Sequence, residues 1–183
     1  MKLEVHGDSS HDPVDSLAKS IDGTHIDVII SKDDQLRYIG RKGTPTFNVL
    51  AACDFDLLFI FVLTGWEGSS HDSHIFLHYT GNPSLKFPNL PSEVLNVFNR
   101  AHSSLKSCIE KAFGILKARR EILEKVPKYS WHDQNTIICA TFTFHNYIRL
   151  SKVLDPTFNI IDIYPNFIPL ETISDATPMK EEA

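Results

Sequence analysis

DFDLLFIFVLTGWEGSSHDSHIF, residues 54 to 76, decides how the chain is read. Its first half holds an unbroken apolar run, Leu57 to Leu63. A run of that length bounded by turn residues reads as a buried strand. A glycine-bearing turn follows, Gly65-Trp66-Glu67-Gly68-Ser69-Ser70, and it delivers Asp72, flanked by His71 and His74, to the strand's end. A strand followed by a tight turn aims one carboxylate rigidly but defines no chemistry alone. Asp22 upstream and Glu110 downstream make it informative.

Upstream, Ile21 to Ile30 is rich in β-branched residues and reads as a strand carrying Asp22. Ser31 to Gly43 is a polar loop ending in Arg37, Arg41 and Lys42. Thr46 to Cys53 and Phe55 to Thr64 read as two more strands, joined near Asp54 as an antiparallel pair. The three together predict a β-meander. Residues 1–19 are polar and acidic, and they read as a disordered lead-in rather than a signal peptide or a metal tract.

Downstream of Asp72 the pattern fades, and Gly81, Pro83, Pro88 and Pro91 exclude a long element from Tyr79 to Pro91. Ser92 can cap a helix whose apolar residues, from Val94 through Phe98, Leu105, Ile109, Ala112 and Phe113 to Leu116, recur at steps of three and four. A break is expected near Asn99 to Ser103, and Pro127 ends the stretch. Glu110 sits beside the apolar stripe. Trp131 to Lys152 reads as a second helix, apolar on most sides and packed into the core, with His145 and Asn146 as packing groups rather than ligands. Asp155 to Ala183 holds four prolines and little periodicity, so 153–183 reads as a loose or disordered acidic tail.

At 183 residues, with 42% hydrophobic and 22% charged residues, the chain is long enough for one domain, placed at 20–152, with a substantial core. No apolar run is long enough to cross a bilayer. Cys53, Cys108 and Cys139 are odd in number and widely spaced in sequence. They suggest neither a disulfide framework nor a zinc site, and a reducing compartment is expected. The net charge of −5 argues against bulk nucleic-acid binding, yet residues 100–128 carry eight basic side chains against three acidic ones. Such a run is usually a solvated helix face, but beside carboxylates it also suits the handling of a phosphodiester.

Two-metal phosphodiester cleavage needs acids from separate elements converging on ions roughly 3.5–4 Å apart. Asp22, Asp72 and Glu110 can supply that set, although with 23 acidic residues position alone selects them weakly. Other chemistries fit less well. GWEGSS lacks the Gly-Lys-Ser/Thr of a phosphate-binding loop, and there is no Gly-x-Ser-x-Gly turn. His71-Asp72-Ser73-His74 cannot build a hydrolase triad from adjacent residues. His74 and His78 stand at helical spacing without a Glu between them, so a zinc reading is set aside.

Asp22-Gly23-Thr24-His25-Ile26, with RYIGRKGTPTFNVLAACDFDLLFIFVLTGWEGSSHDSHIF from Arg37 to Phe76, resembles the plant PIF/Harbinger transposase-derived nucleases, which are DDE superfamily endonucleases. FNRAHSSLKSCIEKAFGILKARREIL, from Phe98 to Leu123, is similar to the family's helix bearing the last catalytic acid, and HNYIR, His145 to Arg149, to its closing helix. The resemblance covers about residues 20–150. It implies an α/β, RNase H-like core that binds a divalent cation, Mg²⁺ or Mn²⁺, and cleaves DNA in the nucleus. Asp22 matches the first acid, Asp72 the aspartate of the Gly-Ser-x-His-Asp-Ser motif and Glu110 the final glutamate, all three as metal ligands. Lys106, Lys117 and Arg119 match basic positions suited to the DNA backbone.

Two departures shape the expectation. The family has a further aspartate, in an Asp-Ala-Gly-Tyr-like motif ending another strand, and residues 73–109 contain none. Tyr79 to Pro91 reads as a join across a deleted segment, leaving the sheet one internal strand short. The family's upstream helix-turn-helix-like region is also missing, so a separate DNA-binding protein is an expected partner. Impaired nuclease activity is the first reading. The second is an inactive, domesticated or truncated transposase serving as a DNA- or protein-binding module.

Overall fold

A computed structural model of the chain describes residues 2–4, 20–40, 43–81, 103–124, 126–151 and 155–163. Four antiparallel strands form one sheet: β1 (Lys2–Glu4), β2 (Ser20–Asp27), β3 (Thr46–Cys53) and β4 (Phe59–Glu67), in the spatial order β1-β4-β3-β2. The meander expected from the sequence is therefore present as β2-β3-β4. Around it lie a single turn α1 (Gln35–Tyr38), α2 (Asp72–Thr80), α3 (Ser103–Arg119), a 3₁₀ turn (Glu121–Leu123), α4 (Trp131–Leu150) and α5 (Pro156–Ile163).

All eight residues of β3 are buried, because both faces of the sheet are covered. Alternation sends Phe47, Val49, Ala51 and Cys53 to one face, against Ile109, Ala112, Phe113 and Leu116 of α3 and Ile138 and Phe142 of α4. Leu50 and Ala52 turn to the other, where Phe61 and Leu63 of β4 meet Ile75 and Phe76 of α2. The larger cluster lies on the α3–α4 side and includes Phe158 of α5.

Polar side chains on the inner face of α4 fasten it to the sheet. Asn146 donates to the carbonyl of Phe59 (2.7 Å) and accepts its N–H (2.9 Å), beyond the point where β1 pairs with β4. Gln134 does the same for Ile29, just past β2 (2.9 and 3.3 Å). Asn135 Oδ1 accepts from Thr64 of β4 (3.0 Å), and His145 Nε2 donates to the carbonyl of Leu57 (2.9 Å). These bonds satisfy backbone groups that burial would otherwise leave unpaired. His145 and Asn146 are thus packing groups, as their positions in the sequence suggested.

Several sequence expectations need correction. Lys2–Glu4 forms an edge strand rather than disordered chain, since β4 offers it a pairing edge; residues 5–19 lie outside the described set. The third long strand runs from Phe59 to Glu67, not Phe55 to Thr64. Asp54 Oδ1 accepts the Leu58 N–H (2.9 Å), closing a turn in which Leu57 takes φ 65°, and this delays the strand. At the other end Gly65 takes φ 91° where the β3–β4 register shifts between Asn48 and Leu50, and any side chain there would run into Trp131 and Asn135.

Asp72–Thr80 is a helix where no pattern was read, because only the adjacent Ile75 and Phe76 are buried and no period results. The helix of the basic stretch ends at Arg119, well short of Pro127, and its expected beginning at Ser92 lies outside the described residues. α4 buries one face only: Phe144, Tyr147 and Leu150 are exposed. Pro156–Ile163, taken as part of a loose tail, is a helix capped by Asp155, whose Oδ1 accepts the N–H groups of Thr157 (2.9 Å) and Phe158 (3.3 Å). Residues 164–183 lie outside the described set.

Burial pushes the His145 pKa from 6.5 down to about 4; Arg119, Arg149 and Arg120 add to this, and the Leu57 carbonyl opposes it. Between those values the unfolded chain takes up a proton that the folded chain refuses, so stability falls as pH falls. Urea unfolding between pH 7 and pH 4 should show a loss of about 3 kcal/mol from this residue. His145→Gln should be less stable at pH 7 but lack that part of the pH slope; an unchanged slope would contradict a buried neutral imidazole.

Candidate functional site

The three acids come from three elements, and the sheet separates them. Asp22 pairs with Ala51 across the β2–β3 ladder, and Gly23 with Leu50. Opposed residues share a face, so Asp22 lies on the side of Ala51, against which α3 packs. α3 carries Glu110, half-buried between the buried Ile109 and Phe113. Asp72 opens α2 on the opposite side. Its carboxylate lies over the α-carbon of Gly23 and accepts from Asn48 Nδ2 (2.7 Å), which also donates to the Ser70 carbonyl (2.9 Å). The β2 main chain at Gly23 thus stands between Asp72 and Asp22, whose own Oδ1 accepts the Gly23 N–H (3.0 Å).

Gly23 is the residue that permits this arrangement. A methyl group in its place would overlap the Asp72 carboxylate, so the Asp-Gly pair in β2 lets a loop-borne acid lie flat on the strand. Among the described residues, no three of His, Cys, Asp and Glu are gathered closely enough to hold a metal ion. Asp22 thus lies on the face against which α3, the helix bearing Glu110, packs, and Asp72 lies on the other. Carboxylates suit a hard cation such as Mg²⁺, which keeps water in its remaining positions.

The basic candidates divide as well. Lys106 lies on α3, with its side chain outside the described residues, and Lys117 is half-buried in the last turn. Arg119 turns inward. It forms an ion pair with Asp155 and stacks 4.2 Å from the centre of the Phe158 ring, and burial together with Arg120 and Arg149 pushes its pKa down to about 10. A guanidinium so engaged fastens α5 to α3 instead of reaching a DNA backbone. Sequence alone gave no sign of this, because Asp155 and Phe158 lie in a stretch without periodicity. His71, His74 and His78 are exposed on α2 and its N-cap, and the rings of His74 and His78 meet Trp66 edge-on at 6.0 and 5.3 Å.

This stretch, from Asp22 through Asp72, falls within residues 21–95, which match the family model described as DDE superfamily endonuclease. The chain is also similar to the rat protein named "Putative nuclease HARBI1", with 28% identity across 74% of this chain and 46% of the relative. The human and bovine proteins of the same name are 28% identical over the same shares. The chain therefore spans about half the length of the curated relatives it matches. The rat alignment extends over 165 positions yet takes up only 74% of the 183 residues here, so the relative carries sequence inside the matched region that has no counterpart in this chain. No solved structure matches.

The matched segment holds its Asp-Gly and His-Asp-Ser motifs together through Gly23 and Asp72, and this contact is testable by a double-mutant cycle. Gly23→Ala should cost about 2 kcal/mol of stability in urea unfolding. In an Asp72→Ala background the same change should cost less than about 1 kcal/mol, since the overlap is gone. Additive costs would mean that the two residues do not touch.

Proposed function

We propose that this protein is a metal-dependent DNA nuclease by descent, with Asp22 and Glu110 as its metal-binding acids and with activity below that of a complete site. What supports the reading is a shared face: Asp22 lies on the side of the sheet against which α3, the helix bearing Glu110, packs, and residues 21–95 match the endonuclease family model. A bound Mg²⁺ or Mn²⁺ would activate the attacking oxygen and stabilise the leaving oxygen of a phosphodiester. Asp22 is fixed from behind. Its Oδ1 accepts the Gly23 N–H while Asp72, held by Asn48, occupies the reverse face of Gly23.

Asp72 accordingly serves as a positioning residue in this proposal rather than as the metal ligand suggested by the family resemblance. The aspartate missing between Asp72 and Glu110 accounts for reduced activity, and the unmatched positions within the rat alignment support loss of an internal segment. An RNase H-like core with that one strand absent fits the antiparallel β2-β3-β4 meander and the helices beyond it. Lys106 and Lys117 remain on α3 as candidates for contact with the DNA backbone. The nucleus is the compartment where a DNA substrate and a separate DNA-recognising partner would be met. No helix among the described residues is long and apolar enough to cross a membrane.

The second reading, a binding module without catalysis, draws on the absence of a three-residue metal cluster among the described residues. One assay separates the two. Supercoiled plasmid incubated with Mg²⁺ or Mn²⁺ should be nicked slowly, with nicking lost in Asp22→Asn and Glu110→Gln but retained, at a reduced rate, in Asp72→Asn. If the folded wild-type protein leaves the plasmid intact, the nuclease reading fails. Salt-sensitive retention of duplex DNA that survives Asp22→Asn would then support the binding module.

A further inference from the structure

We propose that Cys53 and Cys108 are a redox modification site that closes into a reversible disulfide between the end of β3 and α3. The two residues are far apart in sequence, yet their sulfurs lie 3.9 Å apart. Cys53 is the last residue of β3 and fully buried, whereas Cys108 is half-exposed on α3 and its Sγ also donates to the Asp54 carbonyl (3.1 Å). Cys108 is therefore the more accessible of the two to an oxidant, and Cys53 is shielded beside it. Closing the pair requires the sulfurs to approach from 3.9 Å to about 2.0 Å. Cys139, buried on α4, is the internal control. The site stands independently of the nuclease reading, although Cys108 lies two residues from Glu110 on the same helix.

The oxidant is a hydroperoxide. Attack by the Cys108 sulfur on the peroxide O–O bond forms a sulfenic acid and releases one water when the oxidant is hydrogen peroxide. The Cys53 sulfur then attacks the Cys108 sulfur, the S–O bond breaks, and a second water leaves with the thiol proton. Two thiols lose two electrons and two protons in total, and the peroxide is reduced to two waters. A small dithiol reverses the bond by exchange. The closed loop would enclose β4 and α2, tying α3 covalently to the sheet.

The test treats the full chain with a small excess of hydrogen peroxide, denatures it and counts alkylatable thiols by intact mass, with peptide mapping under non-reducing conditions. Alkylation should fall from three thiols to one, with a mass loss of two hydrogens and a single cross-linked peptide joining Cys53 to Cys108, all restored by dithiothreitol. Cys139→Ser should leave the cross-link unchanged, and Cys108→Ser should abolish it. Over-oxidation of Cys108 to sulfinic acid with Cys53 still alkylatable would overturn the proposal, as would a cross-link through Cys139. Because the wild-type measurement decides the outcome, neither variant needs to fold.

Discussion

Two-sided burial of β3 is the constraint on which the rest of this protein depends. Each residue from Thr46 to Cys53 is enclosed, so the strand must carry small or apolar groups on both faces while pairing with neighbours on both edges. Phe47, Val49 and Ala51 define the face onto which α3 and α4 settle, and Leu50 and Ala52 define the face that takes α2. A shift of one residue in the β2–β3 register would exchange these faces and bury Asp22 with the wrong helix. With Thr46, Asn48 is a polar exception on this strand. It is buried because its amide holds both the Ser70 carbonyl and Asp72.

The same alternation governs the acids. Asp22 and Gly23 are neighbours in sequence and face opposite ways, which gives one carboxylate to the α3 side and leaves a bare α-carbon on the α2 side for Asp72 to cover. In the proposed site one of these acids is the ligand and the other its support. Resemblance to a family assigned both acids to the metal, whereas the pleat distinguishes them.

Much of this was legible in the sequence. β-Branched and apolar runs located β2 and β3 to within a few residues, the period of three and four located α3, and the largely apolar stretch from Trp131 located α4. What escaped has identifiable causes. Leu57 at φ 65° held off β4 in a turn stabilised by the Asp54 side chain and by bonds from His145 to Leu57 and Arg149 to Asp56, partners that are unpatterned or distant in sequence. α2 and α5 are short helices whose inward contacts are few, so they left no period. Asp22, Asp72 and Glu110 were readable as candidates, but the side of the sheet each element occupies was not, because it depends on long-range register. The inward turn of Arg119 and the meeting of Cys53 with Cys108 likewise arise from packing between elements far apart in the chain.

The central claim is that Asp22 and Glu110 face one side of the sheet and can share a cation, while Asp72 supports β2 from the other side. Calorimetric titration of Mn²⁺ into the wild-type protein and its Asp22→Asn, Glu110→Gln and Asp72→Asn variants tests it most directly, with circular dichroism confirming that each variant is folded. The account predicts that binding is lost in the first two variants and survives in the third, weakened by no more than roughly 10–100-fold as expected for a supporting residue. Complete loss of Mn²⁺ binding in folded Asp72→Asn, or undiminished binding in Glu110→Gln, would contradict it.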